Sequence, residues 1–148
     1  MSRRGETNIG QLVTEHYGDR VLKVGFSTSR GSVTAASDWD GVVETKAIRP
    51  PLPGSYEELF STLEKKRFFI DLRAENDGIA ALRVERLQRA IGVIYRPETE
   101  RMSHYFRASL PLQFDLMIHL EETHALRPLP AQAHRRPGEM DETYPSGL

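Results

Sequence analysis

Arg96, Glu98, Glu100, Arg101, His104 and Tyr105 crowd into ten consecutive positions in the middle of this chain. A histidine near carboxylates can act as a general base, and an arginine can hold an anionic or carbonyl oxygen. The apolar run before them (Ala90, Ile91, Val93, Ile94) reaches Tyr95 and breaks at Pro97, so it reads as a strand ending in a polar loop. Open α/β sheets keep their ligand sites at the carboxyl ends of strands. Two readings of His104 and Tyr105 stand. In one they rim a pocket, with Arg96 or Arg101 gripping the ligand. In the other, ion pairs and one buried tyrosine staple a loop to the body.

A second candidate is the segment Gly25 to Gly31, which follows a strand and carries Phe26, Thr28 and Arg30. It reads either as a substrate-contacting hairpin at a cleft mouth or as a tight turn that needs glycine. Neither glycine fingerprint of a phosphate-binding loop is present. His119 and Glu121 would share a strand face, and with His124 they raise a metal site, but a third ligand at that spacing is not secured. No metal is assigned. Ser27, Ser29 and Ser103 lie outside any G-x-S-x-G elbow. His16 reads as a half-buried packing residue, and the Arg135–Arg136 pair is too small for a nucleic-acid patch.

The elements that must position these groups interleave. Thr7 or Asn8 caps a helix with Ile9, Leu12, Val13 and His16 or Tyr17 on one face, closed by Gly18. Val21 to Thr28 reads as a buried strand, Ser29 to Gly31 as a turn, and Val33 to Ala36 as an antiparallel return. Trp39 is expected to anchor a loop, and Val42 to Ile48 to form an edge strand. Arg49 to Gly54 (RPPLPG) can be neither regular element. Ser55 and Glu58 form a capping box for a helix burying Tyr56, Leu59, Phe60 and Leu63. Arg67 to Leu72 is a strand, Asn76 to Gly78 a loop, and Ile79 to Gln88 a short helix. Arg107 to Leu110 is extended, Leu110 to Gln113 a link containing Pro111, and Phe114 to Leu120 the last strand. The fold class expected is α/β, a mixed sheet with flanking helices.

At 148 residues, the chain suits one domain with a real core. A net charge of −1 gives no general attraction to nucleic acid or an anionic membrane. No apolar run approaches the roughly 20 residues of a membrane span, and the amino terminus has no secretory signal. Without cysteine there is no disulfide or thiolate chemistry, and cytoplasm is the expected location. The tail after Leu129 is poor in apolar residues, so 130–148 is expected to be disordered.

Six segments stand out in order: RGETNIGQLV (Arg4–Val13), VGFSTSRGSVTAAS (Val24–Ser37), RPPLPGSYEELF (Arg49–Phe60), RFFIDLR (Arg67–Arg73), ERLQRAIGVIYRPETERMSHYF (Glu85–Phe106) and FDLMIHLEETHALRPL (Phe114–Leu129). Together they resemble the carboxyl-terminal part of the erythromycin esterase family, which includes proteins labelled succinoglycan biosynthesis enzymes. The resemblance implies that residues 1–129 are part of a larger fold, distinct from the serine-triad α/β hydrolases. It implies water-driven opening of an ester or macrolide lactone by a histidine base with glutamate partners, without metal or other cofactor. The family's catalytic histidines and glutamates lie upstream of the region matched here, one of them in a Trp-Ala-His-Asn-like segment just before the match to Arg4. No catalytic residue is therefore carried over. The substrate-contact set is Phe26, Thr28, Arg30, Arg96, Arg101, His104 and Tyr105. The expected partners are a small ester or lactone and a separate amino-terminal half, with neither nucleic acid nor membrane. Expected turnover alone is little or none; the alternative is a non-catalytic binding or structural module that pairs with a separate amino-terminal half, and a third, weaker option is a self-contained hydrolase using His104 with Glu98 or Glu100.

Overall fold

The computed structural model describes residues 8–127; the tail 130–148 lies outside them. Helix α1 (Ile9–Tyr17) begins at Asn8, whose side chain accepts the Gln11 N–H at 2.9 Å, and ends at Gly18 with φ 56°. None of its residues is buried, and Ile9 and Leu12 stand 80% and 54% exposed. Its apolar stripe has formed without finding a partner within the described residues.

Strand β1 (Val24–Ala35) runs unbroken through the residues expected to turn at Ser29–Gly31. The glycine is used differently. Gly31 (φ 118°) is where β1 changes neighbour, pairing with Thr123 on one side and Ile48 on the other. A Cβ there would lie 1.8 Å from the Thr123 carbonyl oxygen, so close backbone approach, not chain reversal, requires glycine. The segment Val33–Ala35 thus continues β1 and pairs antiparallel with β2 (Glu44–Ile48).

Helix α2 (Tyr56–Ser61) has its expected cap: Ser55 Oγ accepts the Glu58 N–H, while Glu58 Oε2 accepts from Gly54. Tyr56 and Phe60 are buried, but so is Glu57, and Leu63 is exposed. Strand β3 (Arg67–Asp71) follows, then α3 (Asp77–Leu82) capped by Asn76. The helix expected to reach Gln88 stops there, and Arg86–Arg89 forms β4, antiparallel to β5 (Tyr105–Ala108). Tertiary pairing outweighs local periodicity in this short segment. The apolar run Ala90–Tyr95 is likewise not a strand. It meets Ala36, just past the end of β1, through the Ala36–Ile94 bridge and two flanking backbone hydrogen bonds.

Helix α4 (Glu100–Ser103) precedes β5, and α5 (Leu110–Gln113) follows it. Pro111 lies in the first turn of α5, where its missing N–H costs nothing, so the expected link is one helical turn. Strand β6 (Leu116–Thr123) completes a four-stranded sheet of order β2-β1-β6-β3, with β1 and β6 parallel and the other pairs antiparallel. The fold is therefore mixed α/β. Trp39 is 73% exposed in the Asp38–Gly41 turn and anchors nothing.

The core lies on one face of this sheet, where Met117 meets Tyr56, Phe60, Leu72, Ile79, Leu82 and Leu110. The other face carries the cross-strand row Phe26–Ile118–Phe69, with Phe26 and Phe69 68% and 73% exposed. A sheet with antiparallel pairs can leave one face to water, but that face is then ordinarily polar, whereas this row is apolar. No helix among the described residues is long and apolar enough to cross a membrane. Gly31→Ala is expected to destabilise the chain by about 3 kcal/mol, measured by urea unfolding, because both φ and the Thr123 contact oppose a side chain.

Candidate functional site

A cavity of about 420 Å³ opens beside the first half of β1. Phe26, Val33, Ile91, Leu120 and Leu126 supply apolar wall; Ser27, Thr28, Thr34 and Thr123 add hydroxyl-bearing positions. Its charged lining residues are Glu57 from α2, Arg89 from the end of β4, and His124.

Glu57 and Arg89 are 1% and 7% exposed. Arg89 donates from Nε to Tyr105 Oη at 2.8 Å and lies 3.2 Å from Glu100 Oε1. Its Nη1 reaches the Ser29 carbonyl at 3.3 Å, and Nη2 the Arg49 carbonyl at 2.9 Å. Glu100 also accepts the Tyr95 hydroxyl proton at 2.7 Å, and that hydroxyl accepts the Arg49 N–H. Burial, with the Glu100 carboxylate beside it, pushes the Tyr95 pKa up to about 12. Glu57 Oε1 accepts the Arg89 backbone N–H at 3.1 Å, whereas Oε2 has no hydrogen-bond partner among the described residues. Burial raises the Glu57 pKa against the opposing pull of backbone N–H groups, Arg89 and the neighbouring Ser55 hydroxyl.

Beside this pair, Ser27 Oγ lies 2.7 Å from His119 Nδ1. The His119 ring is fully buried between Phe60 and Phe68, and burial lowers its pKa, favouring the neutral imidazole. Its Nε2 lies 3.6 Å from Glu121 Oε2, so these residues do share a face. His124 turns instead toward Glu122, at 4.0 Å.

Phe26 and Thr28 line the cavity, and Tyr105 stands behind it, supporting Arg89 through its hydroxyl and ring. Arg30 forms an exposed ion pair with Glu122 at 3.2 Å. Arg96 is held by the Ser37 carbonyl and Asp38, and Arg101 is exposed on α4. His104 Nε2 accepts the Arg96 N–H at 3.0 Å, which leaves Nδ1 to donate to the Ala90 carbonyl. Neither His104 nor these three arginines lines the cavity.

The family model described as erythromycin esterase matches residues 1–123. The chain belongs to the erythromycin esterase family. A crystal structure of a Bacillus cereus protein is similar with 26% identity and a TM-score of 0.66, over 78% of this chain and 28% of its own. A second, that of a succinoglycan biosynthesis protein, has 24% identity and a TM-score of 0.68, over 80% and 28% respectively; this likeness shows the fold alone. The chain spans about 28% of the length of these solved relatives.

Within this portion of an erythromycin esterase fold, Glu57, Arg89 and the Ser27–His119 contact escaped the sequence reading. Glu57 sits next to the capping-box glutamate, which accounted for the acidic first turn, and Arg89 lay at the end of an apparent helix. Glu57→Gln is expected to stabilise the chain by about 1 kcal/mol at pH 8, because a neutral amide relieves an unpaired buried charge. The folded-state pKa of Glu57 is raised, so its contribution to stability is present at low pH and lost as pH rises through that value. The two proteins should accordingly converge near pH 4 in thermal melts.

Proposed function

We propose that this chain is the carboxyl-terminal portion of an erythromycin-esterase-like hydrolase, acting with the remainder of the fold on a small ester or macrolide lactone. The observation that carries this reading is the cavity, with apolar walls, hydroxyl-bearing positions and two buried charged groups, in a chain spanning 28% of its solved relatives. Phe26 and Thr28 would contact substrate directly. Tyr105 would act through Arg89, and Arg30, Arg96, Arg101 and His104 would shape the surrounding loops. Turnover by this portion alone is expected to be slight, because water activation needs a positioned base with its orienting carboxylates. On this reading those groups belong to the remainder of the fold.

A second reading, a non-catalytic module that pairs with a separate amino-terminal half, draws support from the uncovered row Phe26–Ile118–Phe69. An apolar sheet face of this kind favours association. The two readings separate in one assay. The purified chain is mixed with a macrolide or an aryl ester, alone and with the separately produced amino-terminal portion of a family member. The hydrolase reading predicts no turnover alone and turnover on reconstitution. A stable complex without turnover favours the module. Turnover by the chain alone that disappears in His104→Ala would contradict both.

A further inference from the structure

Ser27 and His119 form a pair that the proposed function does not use. The parallel pairing of β1 with β6 sets them opposite each other, and strand alternation puts Glu121 on the same face as His119. Ser27 Oγ lies 2.7 Å from His119 Nδ1, and no other polar group among the described residues bonds that hydroxyl. The far side of the ring fixes the tautomer. Ser29 Oγ gives its proton to the Glu57 carbonyl at 3.2 Å, so toward His119 Nε2, at 3.5 Å, it can only accept. Glu121 Oε2, 3.6 Å from Nε2, is an acceptor with no hydrogen-bond partner among the described residues. Nε2 therefore carries the ring proton, which leaves the Nδ1 lone pair facing the Ser27 hydroxyl. Burial lowers the His119 pKa and keeps the ring in this neutral, basic form.

A serine against an unprotonated imidazole nitrogen, with a carboxylate behind the ring, is what activates a hydroxyl as a nucleophile. Such sets are recognised by geometry and roles rather than by sequence position, so a pair on adjacent strands, meeting through Nδ1, qualifies. Access divides the group usefully. His119 and Ser29 are buried, whereas Ser27 is partly exposed and lines the cavity together with the apolar side chains of Phe26, Ile91 and Leu120. Only the serine has to meet a ligand.

We propose that Ser27 is an acylation site, its Oγ attacking the carbonyl carbon of an ester whose short apolar acyl group occupies the cavity. The Oγ–C bond forms as the bond from that carbon to the alcohol oxygen breaks. His119 Nδ1 takes the Ser27 proton and passes it to the departing oxygen, and the Glu121 carboxylate offsets the charge of the transient imidazolium. The products are an acyl-serine and a free alcohol. This step goes beyond the proposed function and does not depend on it: no water is activated, so the chain is acylated once and does not turn over.

The test treats the full chain with p-nitrophenyl butyrate and, separately, with an alkyl fluorophosphonate, from which a nucleophilic serine displaces fluoride. The expected result is a burst of one p-nitrophenolate per chain, and one phosphonyl adduct that peptide mass spectrometry maps to Ser27. Ser27→Ala should lose both while keeping the wild-type circular dichroism. His119→Gln should slow labelling of Ser27 by about 10²- to 10⁴-fold. Should that core variant fail to fold, Glu121→Gln takes its place. It should label about tenfold more slowly, the equivalent of one pK unit on the imidazole, and Glu121→Asp, which keeps the charge, should label faster than Glu121→Gln. A folded wild-type chain that takes no adduct, or takes it on another residue, overturns the proposal. So does labelling at the wild-type rate in folded His119→Gln or in Glu121→Gln. Reconstituted turnover tests the proposed function separately, since it needs the remainder of the fold and this label does not.

Discussion

The Arg89 side chain joins the two sheets. It leaves the end of β4, stacks over the Tyr105 ring of β5, and crosses to the Ser29 carbonyl of β1 and the Arg49 carbonyl beyond β2. Breaking a buried pair of this kind by removing one partner typically costs about 3–5 kcal/mol. Arginine suits the position because its planar fork of donors can satisfy several acceptors at once. The Pro-rich segment Arg49–Gly54, which has no regular hydrogen-bonding pattern, is held by the same cluster. Arg49 N–H donates to Tyr95 and Leu52 N–H to Tyr105. Residues of both β1 and β4, the strands this side chain connects, line the cavity.

The same architecture explains why the large sheet looks incomplete. One face is packed by α2, α3 and α5, while the other presents Phe26, Ile118 and Phe69 in register, and α1 buries none of its residues. Such features belong to a segment of a larger body, in keeping with its 28% span of the solved relatives. The first half of β1 also lacks a strand on the side away from β6, and the cavity lies against that stretch. The cavity and the uncovered surface are therefore neighbours.

Much of the scaffold was legible from residue type alone. Capping at Asn8 and Ser55, the irregular RPPLPG segment and the strands β2, β3 and β6 follow from side-chain chemistry that acts within a few residues. The failures share one cause. Gly31 looked like a turn because its real constraint, the Thr123 carbonyl, lies far away in sequence. Arg86–Arg89 looked helical because its partner strand lies some twenty residues on. His104 drew attention by its company with Glu98 and Glu100, yet both its nitrogens bond backbone groups, and the charged residues of the cavity come from α2, β4 and the segment after β6. Polar groups assembled from separate elements leave no local pattern to read.

One buried carboxylate beyond the partner of Arg89, that of Glu57, belongs to a residue lining the cavity. A carbon-13 titration of the glutamate side-chain carboxyl carbons, in the wild type and in Glu57→Gln, addresses it most directly. The predicted result is one resonance, absent from the variant, that titrates clearly above the exposed glutamates. A Glu57 resonance titrating together with those of the surface glutamates would contradict it.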